Sequence, residues 1–196
     1  MATLTHDPAT IKGFFENYKK HVAPNMKEVL KLKTVMSVPR LEKIVLNMGL
    51  GEAKNNKNVL TEGINALALL SGQKPISCLA KRSEAGFKIR EGMPIGAKVT
   101  LRRERMYDFF VRLVHVAIPR VKDFHGLEPT GFDGRGNYTF GLSDVTVFPE
   151  LASNYSPVLG GLSIVMVTSV ASDKTAYLLL KEMGIPFKEP RKPFKS

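Results

Sequence analysis

The sequence predicts an α+β fold: a mainly antiparallel sheet with helices packed on one face and the other face open. Three observations point there. Leu41–Met48 and Ile95–Arg103 alternate apolar and polar residues with the period of a half-buried strand. Between the strand-like runs lie stretches with helical apolar spacing. The two kinds of segment mix without a regular strand–helix–strand repeat, which argues against a parallel sheet. With 196 residues and 43% hydrophobic content, the chain can fill one domain core. No internal repeat or low-complexity tract interrupts it.

Taken in order, Asp7-Pro8 reads as a helix start, and a helix is predicted to about His21. Pro24 interrupts it, and a second short helix is predicted from Pro24 to Leu32. Leu41–Met48 sets Ile44, Leu46 and Met48 on one face and Lys43, Val45 and Asn47 on the other; Gly49 and Gly51 end the strand. A helix follows from Lys57 to Leu70, closed by Gly72. Pro75–Ala80 is a short strand, and residues 81–94 read as an extended basic loop. Ile95–Arg103 is the next strand. Met106, Phe109, Phe110, Leu113 and Val116 give Glu104–Val116 a helical face that Pro119 should end. Residues 122–138 are Gly-rich and read as irregular. Val145–Phe148 and Leu162–Val170 read as strands. Ser172 should cap a last helix, which Gly184 and Pro186 stop.

Charge narrows the function classes. Twenty-nine Lys/Arg against eighteen Asp/Glu give a net +11, which favours a polyanionic partner, nucleic acid before an anionic membrane surface. The excess is localised. Residues 74–105 hold nine Lys/Arg and three Glu, a net of +6, whereas residues 141–180 hold one Lys and three acids. A phosphate footprint needs such a concentration; a merely solvated surface does not. One cysteine, Cys78, forbids an intrachain disulfide and suits a reducing compartment. No apolar run approaches the roughly 18 residues of a membrane span, and the N-terminus lacks a signal-peptide core. A soluble, intracellular chain with no membrane partner is the expectation.

Catalytic and cofactor signals are weak. Gly49-Leu50-Gly51 lies between a strand and a helix, but Lys54 stands where a dinucleotide fingerprint needs its third glycine; a tight turn is the simpler reading. His6, His21, His115 and His125 form no closely spaced ligand pair, and no Cys-x-x-Cys occurs, so no metal and no cofactor are expected. Cys78 suits a buried apolar role in a strand. Asn137-Tyr-Thr and Asn154-Tyr-Ser match the glycosylation pattern, without consequence in a cytosolic chain. Glu42, Glu91 and Glu104 are scattered and make no carboxylate set for nucleic-acid chemistry. Phe132-Asp133-Gly134-Arg135-Gly136-Asn137 is dense in turn formers, either a shaped loop or a contact loop presenting Arg135.

The basic segment carries the strongest signal. Lys98, Thr100 and Arg102 share one strand face, and Lys43 and Asn47 share a face of another. If the apolar faces meet the helices, these polar faces are open. Such a face suits phosphate and sugar. No aromatic residues interleave on these strands, so shape and backbone recognition is expected over base stacking.

The same residues carry a family resemblance. PRLEKIVLNMGLGEA at 39–53, SGQKP at 71–75, GFKIREGMPIGAKVTLR at 86–102, FDGRGNYTFG at 132–141 and FPE at 148–150 resemble, in order and spacing, the bacterial-type family of the fifth protein of the large ribosomal subunit. The resemblance spans about residue 20 to Phe187. It implies a structural, non-enzymatic protein that binds 5S ribosomal RNA and helps install it in the central protuberance. Large-subunit rRNA, neighbouring 5S-binding proteins, P-site tRNA and a small-subunit head protein are the implied partners. By position it puts Arg40, Lys43, Asn47, Gln73, Lys74, Lys98, Thr100 and Arg102 at the rRNA surface. It implies that the loop with Lys81, Arg82, Lys88 and Arg90 reaches toward P-site tRNA, although Glu84 and Glu91 dilute that loop's charge. An intersubunit bridge is set around Arg112, Arg120 and Arg135. The division is an N-terminal extension at 1–16, a single RNA-binding domain at 17–187 and a basic tail at 188–196. The ribosome of a bacterial cytoplasm is the expected location, with an organelle as the other setting. A free RNA chaperone or assembly factor on the same fold is the competing reading.

Overall fold

Strand β1, Leu41–Gly49, buries Ile44, Leu46 and Met48 completely and exposes Asn47, as the alternation of its sequence requires. The computed structural model describes residue 18 and residues 22–54, 56–152 and 160–188. The helix predicted from Asp7, the extension at 1–16, the 154–156 glycosylation match and the tail beyond Lys188 lie outside them.

β1 is the middle of a five-stranded sheet in the order β2-β3-β1-β5-β4. The others are β2 Ile76–Leu79, β3 Pro94–Leu101, β4 Tyr138–Leu142 and β5 Leu162–Thr168. Every neighbouring pair is antiparallel. Among the described residues the α-helices are α1 Ala23–Val29, α2 Lys57–Ser71, α3 Arg103–Arg112, α4 Ile118–Arg120, α5 Pro149–Ala152 and α6 Asp173–Glu182. Leu46, Val99 and Ile164 of the sheet share one core with Leu67 of α2, Phe109 of α3 and Leu180 of α6. Each such side chain stabilises the fold by about 1.5–3 kcal/mol through burial. The other sheet face carries none of that core, so the α+β expectation with one open face holds.

Helix ends follow the expected chemistry in part. Asn56 caps α2 by accepting the Asn58 N–H, and Gly72 closes it in the left-handed region. Ser172 stands at the start of α6 but makes no side-chain cap; the neighbouring Asp173 carboxylate is engaged elsewhere. Gly184, at φ +98°, ends the helix in a Schellman turn: its N–H meets the Lys181 carbonyl and the Ile185 N–H meets that of Leu180.

Four expectations need correction. Residues 122–138 are not irregular to their end, because Tyr138 opens strand β4 and its ring is buried. Val145–Phe148 is no strand; Val145–Val147 is a 3-10 turn, since the Asp144 carboxylate accepts from the backbone N–H and hydroxyl of Thr146 and curls the chain. Pro119 does not end the helical path. Leu113–Ala117 is wound as a π-helix, which leaves room for the proline ring in the first turn of α4. The segment 81–94 is not extended; it is a hydrogen-bonded hairpin.

Candidate nucleic-acid interface

The antiparallel register turns separate sequence positions into one surface. Asn47 of β1 lies opposite Lys98 of β3 and, on its other side, Ser163 of β5; Val45 lies between Thr100 and Val165. Asn47, Lys98 and Thr100 are exposed, and Lys43 is half-buried. The register continued one step past Ile44–Leu101 brings Arg102 opposite Lys43. The open face is uneven in charge. Its β1–β3 half presents Lys43, Asn47, Lys98 and Thr100, whereas its β5–β4 half presents Ser163, Val165, Val167 and Thr139.

Two flanking residues are structural as well as peripheral. The Gln73 amide N–H donates to the Thr100 carbonyl, and the Arg105 guanidinium donates to the Gln73 side-chain oxygen. Gln73 thus ties the end of α2 to β3 and to the first turn of α3, with exposed Lys74 beside it. The backbone of Arg40 is pinned to Ser169 through both its N–H and its carbonyl, which fixes exposed Arg40 at the start of β1. Burial pushes the Tyr18 phenol up to about 12, with Tyr107 adding to the rise and Arg40 opposing it. Burial likewise raises Tyr107.

The hairpin between β2 and β3 is closed at its base by Ala80 N–H to the Met93 carbonyl and Gly92 N–H to that of Ala80. Glu84 and Ile89 exchange backbone bonds higher up, and Ser83 accepts the Glu91 N–H. Lys81, Arg82, Lys88 and Arg90 are arrayed along it, and Phe87 is exposed near the tip. The structure brings these four cations onto one projection, apart from the sheet face.

The Asp133–Asn137 loop is rigidly shaped. The Asp133 carboxylate accepts the backbone N–H groups of Arg135 and Asn137 and the Asn137 side-chain amide. Asp173 accepts the N–H groups of Gly134 and Gly136. The loop is thereby a fixed platform with Arg135 exposed on it. Arg120 is exposed at the end of α4. Arg112 differs: its guanidinium donates to Glu150 at 2.7 Å, to the Leu70 carbonyl at 3.0 Å and to Asp108 at 3.1 Å. It clamps α2, α3 and α5 together. The sequence reading missed Arg103 and Arg105, whose positions beside Gln73 and Arg102 depend on where α3 begins. Among the described residues, no group of three or more His, Cys, Asp or Glu side chains is placed to hold a metal ion.

The arrangement can bind phosphates and sugars over one half of a sheet, and comparisons with known proteins identify its setting. The family model described as "Ribosomal protein L5" matches residues 34–90, and the model for the C-terminus of the same ribosomal family matches residues 94–187. The large ribosomal subunit protein uL5 of Syntrophomonas wolfei is 49% identical over 174 residues, covering 89% of this chain and 98% of the relative. The chain belongs to the uL5 family. The uL5 proteins of Lacticaseibacillus casei and Fusobacterium nucleatum are similar to it at 50% and 52% identity over 172 residues, 88% of this chain in both cases and 96% and 94% of the relatives. As a bacterial-type uL5 protein, the chain is a structural constituent of the large ribosomal subunit in the cytoplasm and not an enzyme. The two family matches meet at the hairpin, and the half-charged sheet face is built from both.

Proposed function

We propose that the cationic half of the open sheet face holds 5S ribosomal RNA and helps install it in the central protuberance, beside large-subunit rRNA and neighbouring 5S-binding proteins. The observation that carries this reading is the direct pairing of Asn47 with Lys98, flanked by the pairing of Val45 with Thr100. A row of short polar and cationic groups on rigid strands suits the wide, shallow minor groove and phosphates of an RNA helix. Arg40, Gln73 and Lys74 flank it. The hairpin with Lys81, Arg82, Lys88 and Arg90 reaches toward P-site tRNA, and Arg120 and Arg135 face a small-subunit head protein. In this reading Arg112 serves that bridge indirectly, by fixing α3. Residues 17–187 act as one RNA-binding unit to which residues 1–16 and 188–196 add contacts.

Footprinting of 5S RNA with and without the protein tests the reading. One continuous protected stretch, lost in a Lys98→Ala/Arg102→Ala variant, is the expected result. Protection unchanged in that variant overturns it.

A further inference from the structure

Among the described residues, four non-glycine residues have positive φ: Lys31 at 49°, Lys88 at 53°, Asp123 at 51° and Arg103 at 54°. Two of them have local reasons. Lys31 follows the end of α1 and Lys88 closes a 3-10 turn, with N–H groups accepted by Glu28 and Ala85, and left-handed residues commonly end helices. Asp tolerates the region through its short side chain. Arg103 is different, because it begins a helix, directly after extended Arg102. A left-handed arginine there is disfavoured by its Cβ, and glycine would relieve the strain. Charge does not compensate. Arg102, Arg103 and Arg105 crowd the first turn of α3 with Glu104 as the one acid, and cations near that end oppose the helix dipole. Among the described residues, no hydrogen bond or ion pair engages the Arg103 guanidinium. Arg102, next to it in sequence, and Lys74, next to Gln73, are exposed, and Gln73 joins Arg105 to the carbonyl of Thr100 on the open face.

We propose that Arg103 is a phosphate-contacting residue, extending the RNA footprint from β3 around the sheet corner to Arg105 and Lys74. The inference rests on the reading of the sheet face as an rRNA surface. An arginine fork on a fixed backbone can grip a phosphate bidentately, which offsets a strained backbone only when the RNA is bound.

Two substitutions separate contact from strain. Arg103→Gly removes both the guanidinium and the strain; Arg103→Ala removes only the guanidinium. For the free protein, the thermal midpoint should rise by about 2–4 °C in Arg103→Gly and stay near wild type in Arg103→Ala. Both should lose about tenfold in affinity for 5S RNA at one salt concentration, with a salt slope shallower by about one. Affinity within about twofold of wild type in both variants, while Lys98→Ala binds weakly, overturns the Arg103 contact and leaves the sheet reading standing. If wild type itself fails to bind 5S RNA, that reading falls. The Arg103 contact is then judged by competition of each variant with wild type for incorporation into salt-washed large subunits. Equal incorporation overturns it, and a shared deficit supports it.

Discussion

At the scale of single residues, the 133–137 loop shows how backbone geometry and two carboxylates fix a presenting surface. Gly136 has φ +76°, and a Cβ there would run into the Val170 carbonyl oxygen. Gly136→Ala therefore meets both strain and a backbone clash. It should cost at least about 2 kcal/mol and lower the thermal midpoint by about 4–8 °C; an unchanged melt contradicts this account. Asp133 adds a pH signature. The Asn137 side-chain amide above all, together with the backbone N–H groups of Arg135 and Asn137, holds its carboxyl below the ordinary 3.8, against the opposing effect of burial. A carboxylate with a depressed folded value contributes stability above 3.8, and loses it as pH falls through that depressed value. The Asn137 side-chain amide signals in NMR should follow this titration with a midpoint below 3.8; a midpoint at or above 3.8 refutes the hydrogen-bonded loop. The glycine and Asp-Asn turn chemistry was readable in the sequence. The role of Asp173 was not, because its partners lie 37 and 39 residues away.

At the scale of elements, the candidate contacts fall on two different parts of the fold. Asn47, Thr100 and Arg102 belong to paired strands or their immediate end, whereas Lys81, Arg82, Lys88 and Arg90 stand on a projecting hairpin. Substituting the first three with Ala should weaken 5S binding, by about 1.5–3 kcal/mol for the charged hydrogen bond and about 1 for each neutral one. Substituting the four hairpin cations should leave 5S affinity within about threefold, or roughly 0.6 kcal/mol, and reduce P-site tRNA retention on assembled ribosomes. Equal losses of 5S affinity in both variants defeat the division. Arg112 belongs to this scale too. Arg112→Ala strands the half-buried Glu150 carboxylate and the Leu70 carbonyl, and should cost about 2–3 kcal/mol of stability, read by denaturant unfolding. A neutral Arg112→Ala contradicts the clamp. The strands that bear the cationic half of the open face were legible because their alternation is clean. Strand β4 was not. Its Tyr138 ring packs against Phe132 and against Phe187, whose ring lies 5.1 Å away, and no local pattern reveals that cluster. Val145–Val147 misled in the opposite sense, since β-branched alternation was overruled by one aspartate.

At the scale of the whole molecule, the decisive feature is where the excess charge goes. The chain carries net +11, yet the β5–β4 half of its open face has no charged side chain among Thr139, Gly141, Ser163, Val165 and Val167. Charge spread for solubility alone would not spare half of an exposed sheet. The cations at or beside the other half are Arg40, Lys43, Lys74, Lys98 and Arg102. If each neutralises one RNA phosphate, these five set a slope of log K against log salt of about −3.5 to −4.5, which the proposed Arg103 contact steepens by about one. Doubling salt from about 0.1 to 0.2 M should then weaken 5S binding at least roughly 10- to 20-fold. Removing Lys98 should make the slope shallower by about one, since a phosphate contact contributes its counterion wherever it lies along the RNA. A charge substitution on the remote α6, Lys174→Ala, should leave the slope unchanged. Titrations of wild type and both variants over a series of salt concentrations measure all three slopes. A slope near zero, or one that Lys174→Ala flattens as much as Lys98→Ala, shows that net charge rather than the sheet's cationic half drives the binding.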